Sequence, residues 1–122
     1  GIFVVTAHSF GILNAYPYGS GHVLVLPRRH TGDLDSLSDD EAGDFFALLR
    51  RTTSALQRAY SPDGMNVGFN LGRAAGAGIP QHLHGHVLPR WSGDTNFMTS
   101  LGETRVLPES LAHSWHKISA EI

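Results

Sequence analysis

The sequence lacks cysteine, a long apolar run and a large excess of charge of one sign. Without cysteine, a disulfide framework and a thiolate zinc site are excluded. No stretch of about 18 apolar residues is present, so no membrane span is expected. The net charge of −2 gives no electrostatic reason to expect binding to nucleic acid or to a membrane surface. A soluble, cytoplasmic protein is therefore the default expectation.

The length bounds the organisation of the chain. Its 122 residues are enough for one domain with a hydrophobic core, and we expect a single domain over residues 1–122. The sequence opens at Gly1 without methionine. We therefore allow for an N-terminal segment that precedes this residue.

Local patterns predict five strands and one long helix. Short apolar or β-branched runs, most of them bounded by glycine or proline, predict strands at residues 2–6, 10–14, 22–27, 65–70 and about 82–89. Apolar residues at helical spacing predict an amphipathic helix over residues 39–60. Ser38 and Glu41 form a capping-box pattern at its start.

The order of the elements predicts the fold class. The strands at 10–14 and 22–27 flank a connection rich in glycine and proline and are expected to form a β-hairpin. Pro108 is expected to begin a short C-terminal helix with one apolar stripe, formed by Leu111, Trp115 and Ile118. The order β-β-β-α-β-β with a C-terminal helix predicts an α+β domain with a mostly antiparallel sheet.

Residues 72–78 are too rich in glycine and alanine to pack as a strand. We expect a loop whose backbone can approach a ligand closely. Backbone N–H groups in such a loop are suited to phosphate oxygens. The loop by itself is a weak phosphate signal.

Three histidines alternate with other residues in the predicted last strand. Alternate side chains of a strand share one face, so we expect one row of imidazoles, those of His82, His84 and His86. Successive histidines then lie roughly 6.6–6.8 Å apart along the strand. Each ring has polar atoms that need partners, so the row suits a polyanionic ligand or a metal.

The residues alone leave three interpretations of this row open. The first is a polar, solvent-facing surface without a role. The second is a zinc site, because imidazole nitrogen binds zinc well, although carboxylate partners are scarce in the sequence nearby. The third is a nucleophile: a neutral imidazole attacks phosphorus and forms a covalent phosphoramidate, while its neighbours bind oxygens or protonate the leaving group.

The motif at residues 82–88, His-Leu-His-Gly-His-Val-Leu, resembles the signature of the histidine triad (HIT) superfamily. The following Leu-Pro-Arg resembles its fragile-histidine-triad branch. The segments 14–18, 72–78 and 90–98 are similar to bacterial HIT proteins of the diadenosine tetraphosphate phosphorylase type. The resemblance covers about residues 3–98 and implies a HIT-like fold with an antiparallel sheet of about five strands.

The resemblance also implies an activity. HIT enzymes of this kind cleave nucleoside or dinucleoside polyphosphates at the α-phosphate through a nucleotidyl-histidine intermediate. His84 matches the nucleophile, and His86 and the upstream His22 match residues that line the phosphate site. His82 matches a histidine that supports the nucleophile by a hydrogen bond. With water as the acceptor the enzyme is a hydrolase, and with orthophosphate it is a phosphorylase. The overall resemblance favours the phosphorylase.

The nucleotide is expected to contact a second set of residues. Asn14 matches a ribose contact, and Asn70 matches a polar residue near the phosphates and leaving group. The loop is expected to meet the phosphates at four positions, Gly76, Ala77, Gly78 and Ile79. No cofactor or protein-bound metal is implied, and the substrate can arrive as a magnesium complex. A homodimer is the expected assembly, with higher oligomers left open.

Two departures from the family pattern are visible. Gly85 stands where the signature has an apolar side chain, so thinner packing behind the nucleophile is expected. The loop before His82 is one residue longer than in the fragile-histidine branch, so residues 78–80 have no one-to-one match. Alternative functions are a non-catalytic or slow purine-nucleotide-binding HIT module and a metal-binding protein. AMP binding without turnover, or stoichiometric zinc, would distinguish them.

Overall fold

A computed structural model describes residues 1–77, 81–94 and 109–122. Five strands and two helices lie within these ranges: β1 (Ile2–Val5), β2 (Ser9–Leu13), β3 (Val23–Pro27), α1 (Asp39–Tyr60), β4 (Gly64–Phe69), β5 (Gly85–Arg90) and α2 (Leu111–Glu121). The predicted α+β class is confirmed. No helix of the described ranges is both long and apolar enough to cross a bilayer.

The strands form one sheet in the order β1-β2-β3-β5-β4, and all neighbouring strands are antiparallel. The predicted hairpin is confirmed, since Leu13 of β2 pairs with Val23 of β3. On β5, Val87 is the partner of Val23 on one side and of Val67 on the other. β5 therefore lies inside the sheet and is hydrogen-bonded along both edges.

The long helix begins as the sequence predicts. The Ser38 hydroxyl accepts from the Glu41 N–H at 3.1 Å, and Glu41 Oε1 accepts from the Ser38 N–H at 3.0 Å. This capping box satisfies two N–H groups at the helix start. The helix ends at Ser61, which has φ 45° and precedes Pro62. One side is buried, formed by Phe45, Leu48, Leu49, Thr52, Ala55 and Leu56.

The core lies on one face of the sheet. A single cluster joins buried residues of β3 and β5 to α1 and α2, including Val23, Val25, Leu48, Leu56, Val87 and Ile118. Burial of each such side chain contributes about 1.5–3 kcal/mol. Because side chains alternate along a strand, the opposite face of β3 and β5 is left for other contacts.

The C-terminal helix differs from its prediction. It begins at Leu111, and Ser110 caps it by accepting from the His113 N–H at 3.1 Å; Pro108 lies outside the described residues. The predicted apolar stripe is wrong in part: Ile118 is buried, but Leu111 is 42% and Trp115 is 37% exposed. The helix packs on the core through Ile118 and the residue one turn before it, Ser114, which is also buried.

Candidate active site

The histidine segment is only partly a strand. β5 begins at Gly85 rather than at His82, so the predicted strand is wrong over its first three residues. The Leu83 N–H donates instead to the carbonyl of Thr31, in the loop after β3, at 2.6 Å. The predicted alternation persists: the three histidines are partly exposed and the residues between them are buried.

His84 presents an unprotonated nitrogen. Its Nδ1 lies 2.9 Å from the backbone carbonyl oxygen of His82. A carbonyl oxygen can only accept, so Nδ1 carries the proton of the neutral ring and Nε2 carries the lone pair. Because His84 is partly exposed, its Nε2 is the ring atom that can act as a nucleophile.

His82 acts on His84 through its backbone. Its own ring donates from Nε2 to the carbonyl of Pro27 at 3.1 Å. The ring also lies 4.9 Å from the ring of His30 and 6.4 Å from that of Phe10, measured between centroids. The support implied for this residue thus comes from its carbonyl oxygen, while its side chain ties the segment to the end of β3.

His22 and His86 form a chain of hydrogen bonds with one direction. His22 is 2% exposed. The backbone N–H of Tyr18 donates to its Nδ1 at a distance of 3.1 Å. The proton of His22 must then be on Nε2, which lies 3.0 Å from Nδ1 of His86. Nδ1 of His86 is thus the acceptor, and its proton is on Nε2. The backbone amide of Tyr18 sets both tautomers.

The imidazole rings of His22 and His86 are both neutral at pH 7. Burial, followed by the charge of His86, lowers the pKa of His22 to about 4. Burial, followed by the charge of His84, lowers the pKa of His86. Desolvation disfavours the charged imidazolium in each case.

The last ring of this hydrogen-bonded chain, that of His86, lies beside the ring of His84. The rings of His84 and His86 are 5.0 Å apart and edge to face. Nε2 of His86 is buried and has no hydrogen-bond partner among the described residues. A buried donor without a partner costs about 1–3 kcal/mol, which an oxygen of a bound ligand would offset. The site therefore offers a lone pair and a donor side by side.

An open groove continues from these imidazoles across β5 to β4. It has a volume of about 270 Å³ and is lined by His22, His86, Leu88, Tyr18 and residues 66–70. No group of three or more His, Asp or Glu side chains within residues 1–77, 81–94 and 109–122 is arranged to hold a metal ion.

A model of the HIT domain family matches residues 2–93. The chain belongs to the HIT family. The AP-4-A phosphorylase of Mycobacterium tuberculosis is 38% identical over 112 residues, which cover 92% of this chain and 57% of that protein. The asymmetrical bis(5'-nucleosyl)-tetraphosphatase of Schizosaccharomyces pombe is 33% identical over 93 residues, 76% of this chain and 50% of that protein.

The fold agrees with this membership. The crystal structure of the Caenorhabditis elegans NitFhit protein matches with a TM-score of 0.77 and 30% identity, over 98% of this chain and 26% of that one. The five-stranded HIT-like fold expected from the resemblance is therefore confirmed. This HIT chain spans 57% of the length of the curated AP-4-A phosphorylase that it matches.

The glycine-rich loop of this HIT domain is more ordered than its composition predicts. Residues 73–75 form a turn of 3-10 helix, and Gly76 follows with φ 94°. The N–H groups of residues 75–77 all donate to carbonyls of residues 72 and 73, at 2.9–3.3 Å. The backbone donors expected at Gly76 and Ala77 for phosphate are thus used within the loop. Gly78 and Ile79 lie outside the described residues.

The two predicted asparagines lie at different places. Oδ1 of Asn14 accepts the Tyr16 N–H at 3.0 Å, and its Nδ2 lies 3.2 Å from Nδ1 of His22. Asn14 thus orders the β2–β3 loop beside the imidazole chain, and its ribose contact stays a prediction. Asn70 is exposed at the end of β4 and lines the groove.

An apolar surface that the motif does not predict lies beside the histidines. The register pairs β2 with β3 and β3 with His86 of β5, and it brings four partly exposed residues to the face opposite the core: Phe10, Ile12, Leu24 and Leu26. Apolar surfaces of this kind suit a nucleobase. The signal was in the sequence, because β2 and β3 have large apolar residues at positions of both faces.

The thin packing that was expected at Gly85 is not found. A Cβ atom there would lie 3.2 Å from the ring of Phe69 and 3.3 Å from that of Phe45. The two rings, with centroids 5.6 Å apart, fill the space behind the nucleophile. The packing is therefore dense, and glycine permits the close approach.

We expect Gly85→Val to lower the free energy of unfolding by about 1–3 kcal/mol, because added methyl groups overpack this site. Gly68→Val is the matched control on β4, where a Cβ meets no atom within 4 Å. Urea denaturation of both variants checks this. Equal stability of the two would contradict the packing account.

The pKa of His22 predicts a pH-dependent stability. Between pH 6.5 and about 4 the unfolded chain binds a proton that folded His22 does not, so stability is lost as pH falls through this window. Relative to His22→Asn, the wild type should lose about 2 kcal/mol more between pH 7 and pH 5. Urea unfolding at both pH values measures this difference, and parallel curves would refute it.

Proposed function

We propose that this HIT domain cleaves dinucleoside polyphosphates at the α-phosphate through a nucleotidyl group on His84. The observation that carries the proposal is the pairing of the two reactive atoms. Nε2 of His84 has its lone pair available, the ring of His86 lies 5.0 Å from that of His84, and the buried Nε2–H of His86 has no partner among the described residues.

The reaction proceeds in two displacements. In the first, Nε2 of His84 attacks the α-phosphorus, a bond from nitrogen to phosphorus forms, and the bond to the bridging oxygen breaks. His86 donates from Nε2 to a phosphate oxygen as charge develops there. In the second, an acceptor oxygen attacks the same phosphorus and frees His84. The hydrogen bond to the His82 carbonyl stabilises the ring while it is positively charged.

The surroundings support a nucleoside substrate. The apolar surface on β2 and β3 lies on the same face of the sheet as His86 and is suited to a base. The groove towards β4 continues on the other side of β5 and has room for further phosphates or a second nucleoside. Asn14 and Asn70 are the predicted polar contacts.

Orthophosphate is the favoured second acceptor. Support comes from the AP-4-A phosphorylase of M. tuberculosis, whose similarity covers 92% of the length of this chain. With orthophosphate, the nucleotidyl group leaves as ADP, whereas with water it leaves as AMP.

A product assay on diadenosine tetraphosphate, with and without orthophosphate, tests the proposal. We expect ADP and ATP only when orthophosphate is present. AMP and ATP in both reactions would identify a hydrolase. No turnover in either, together with AMP binding by calorimetry, would replace the proposal by a purine-nucleotide-binding HIT module.

We infer further that residues 1–122 act as one domain and assemble as a homodimer. α2 adds Ile118 to the same core as β3 and α1, which supports a single domain. β4 is an edge strand, and Val67 on it and Phe46 on α1 are 46% and 59% exposed, which supports a subunit contact. Light scattering after gel filtration should give twice the mass of the chain, and a monomer would refute the dimer.

A further inference from the structure

A hydrogen-bonded cluster joins the end of α1 to the start of α2. The Tyr60 hydroxyl donates to Oε1 of Glu109 at 2.5 Å, and the Ser114 hydroxyl donates to the same oxygen at 2.7 Å. Nζ of Lys117 lies 3.5 Å from the other carboxylate oxygen and 4.3 Å from the centre of the Tyr60 ring. The Glu109 side chain is only 14% exposed. The cluster therefore fixes the Tyr60 ring from several sides.

The Tyr60 ring packs against the residue that precedes His22. A Cβ atom on Gly21 would lie 2.8 Å from Cε2 of Tyr60, so there is no room for a side chain between ring and backbone. Gly21 has φ +78°, a conformation that glycine adopts without strain. The backbone at Gly21 is thus held between its own turn and an aromatic ring.

A second observation links the cluster to His22. A cavity of about 10 Å³, close to the lower limit for one water molecule, is bounded by both His22 and Glu109. Its wall also includes Gly21 and Ser114. Residues of the cluster and His22 therefore border the same small cavity.

We propose that Tyr60 is a positioning residue, which Glu109 holds in place so that its ring fixes Gly21 and the orientation of His22. His22 in turn directs the proton of His86 towards the reacting phosphate. The inference rests on the proposed function for its effect on turnover. The residues that hold the Tyr60 ring, Glu109 and Ser114, lie beyond residue 93, where the match to the HIT family ends.

The chain contains a matched control for this role. A second contact between the same two helices joins Arg58 to Glu121, with Nε 3.2 Å from Oε2. A further bond runs from Arg58 Nη2 to the Glu121 carbonyl oxygen at 2.8 Å. Glu121 bonds to Arg58 rather than to Tyr60. Glu121→Ala therefore weakens helix docking without removing the hydrogen bond that holds the Tyr60 ring.

The test compares Glu109→Ala, Glu109→Gln and Glu121→Ala. Glutamine keeps an oxygen that accepts from Tyr60 and Ser114, so it should behave as the wild type. In Glu109→Ala we expect kcat on diadenosine tetraphosphate to fall about tenfold with KM within about twofold, because small misplacements of reacting groups reduce kcat. Glu121→Ala should retain kcat.

The imidazole ¹⁵N signals of His22 give a readout that does not need turnover. The wild type, Glu109→Gln and Glu121→Ala should show one tautomer with the proton on Nε2. In Glu109→Ala the two nitrogen signals should move towards each other as tautomers mix. Tyr60→Phe, which keeps the ring and removes only the hydroxyl, should shift them in the same direction.

The outcomes separate the two proposals. If the His22 signals and kcat of Glu109→Ala and Tyr60→Phe are the same as those of Glu121→Ala, the positioning role is overturned. If the His22 signals shift as expected but no variant and no wild-type protein turns over any dinucleotide, the positioning of His22 is supported and the proposed function is overturned.

Discussion

His84→Ala is expected to reduce turnover of diadenosine tetraphosphate by at least about 10³-fold, because the variant lacks the Nε2 lone pair that the proposed first displacement requires. The loss should appear in kcat, since the nucleophile is needed for the first displacement. The fold should remain, because His84 is partly exposed and, among the described residues, its ring bonds to the His82 carbonyl alone. Steady-state kinetics and urea unfolding of the same preparation measure both effects.

His30→Ala is the matched control for this prediction. The exposed His30 lies against His82, near the nucleophile in space, but is not part of the Tyr18–His22–His86 chain. We expect it to retain activity within about threefold of the wild type. A His84→Ala protein that is as active as the His30 control would remove His84 from the mechanism.

The second large effect is expected from His22→Asn, with kcat reduced by about 10²-fold, the lower end of the range for a proton donor. His22 is 2% exposed and its Nε2 donates to Nδ1 of His86 over 3.0 Å, so its effect should pass through His86. Without the Nε2–H of His22, Nδ1 of His86 loses its donor, and the tautomer that offers a proton to the phosphate is no longer fixed. KM should change little, because phosphate binding by the other groups is retained.

Single-turnover kinetics measure this loss in the first displacement directly. Asn14→Ala provides the comparison, since Asn14 contacts His22 but leaves its bond to His86 in place. We expect a smaller loss of kcat in this variant. A His22→Asn protein with wild-type single-turnover rates would show that the imidazole chain is not needed.

Local sequence signals predicted the elements where the determinants are local. α1 was bounded correctly because the capping box of Ser38 and Glu41 and the stop at Ser61 and Pro62 lie within a few residues of its ends. The start of β5 could not be found in this way. The residues before it include Leu83, whose N–H donates to Thr31, a residue distant in sequence.

The site likewise has features that local sequence predicts and features that it does not predict. The motif identified the histidines and their alternation, because the period of an extended chain requires no tertiary knowledge. The directions of the rings follow from long-range contacts: the ring of His82 bonds to Pro27, and His22 meets His86. The tautomers depend on the backbone N–H of Tyr18, which composition and spacing do not reveal.

Gly85 and the glycine-rich loop show why composition alone misleads. A glycine in a motif suggested empty space, but the rings of Phe45 and Phe69 reach into it from α1 and β4. A run of glycine and alanine suggested free backbone donors, but residues 75–77 donate to carbonyls of their own loop. Both outcomes depend on neighbours that are fixed only in the folded chain.

Covalent capture of the nucleotide provides the most direct test of the account. The protein is mixed with diadenosine tetraphosphate in the absence of orthophosphate, quenched within a turnover at alkaline pH, where phosphoramidates survive, digested and examined by mass spectrometry. The account predicts that the peptide containing His84 gains one adenylyl group, and that this adduct disappears when orthophosphate is added before quenching. Efficient turnover with no adduct at any time, or an adduct on another residue, would contradict it.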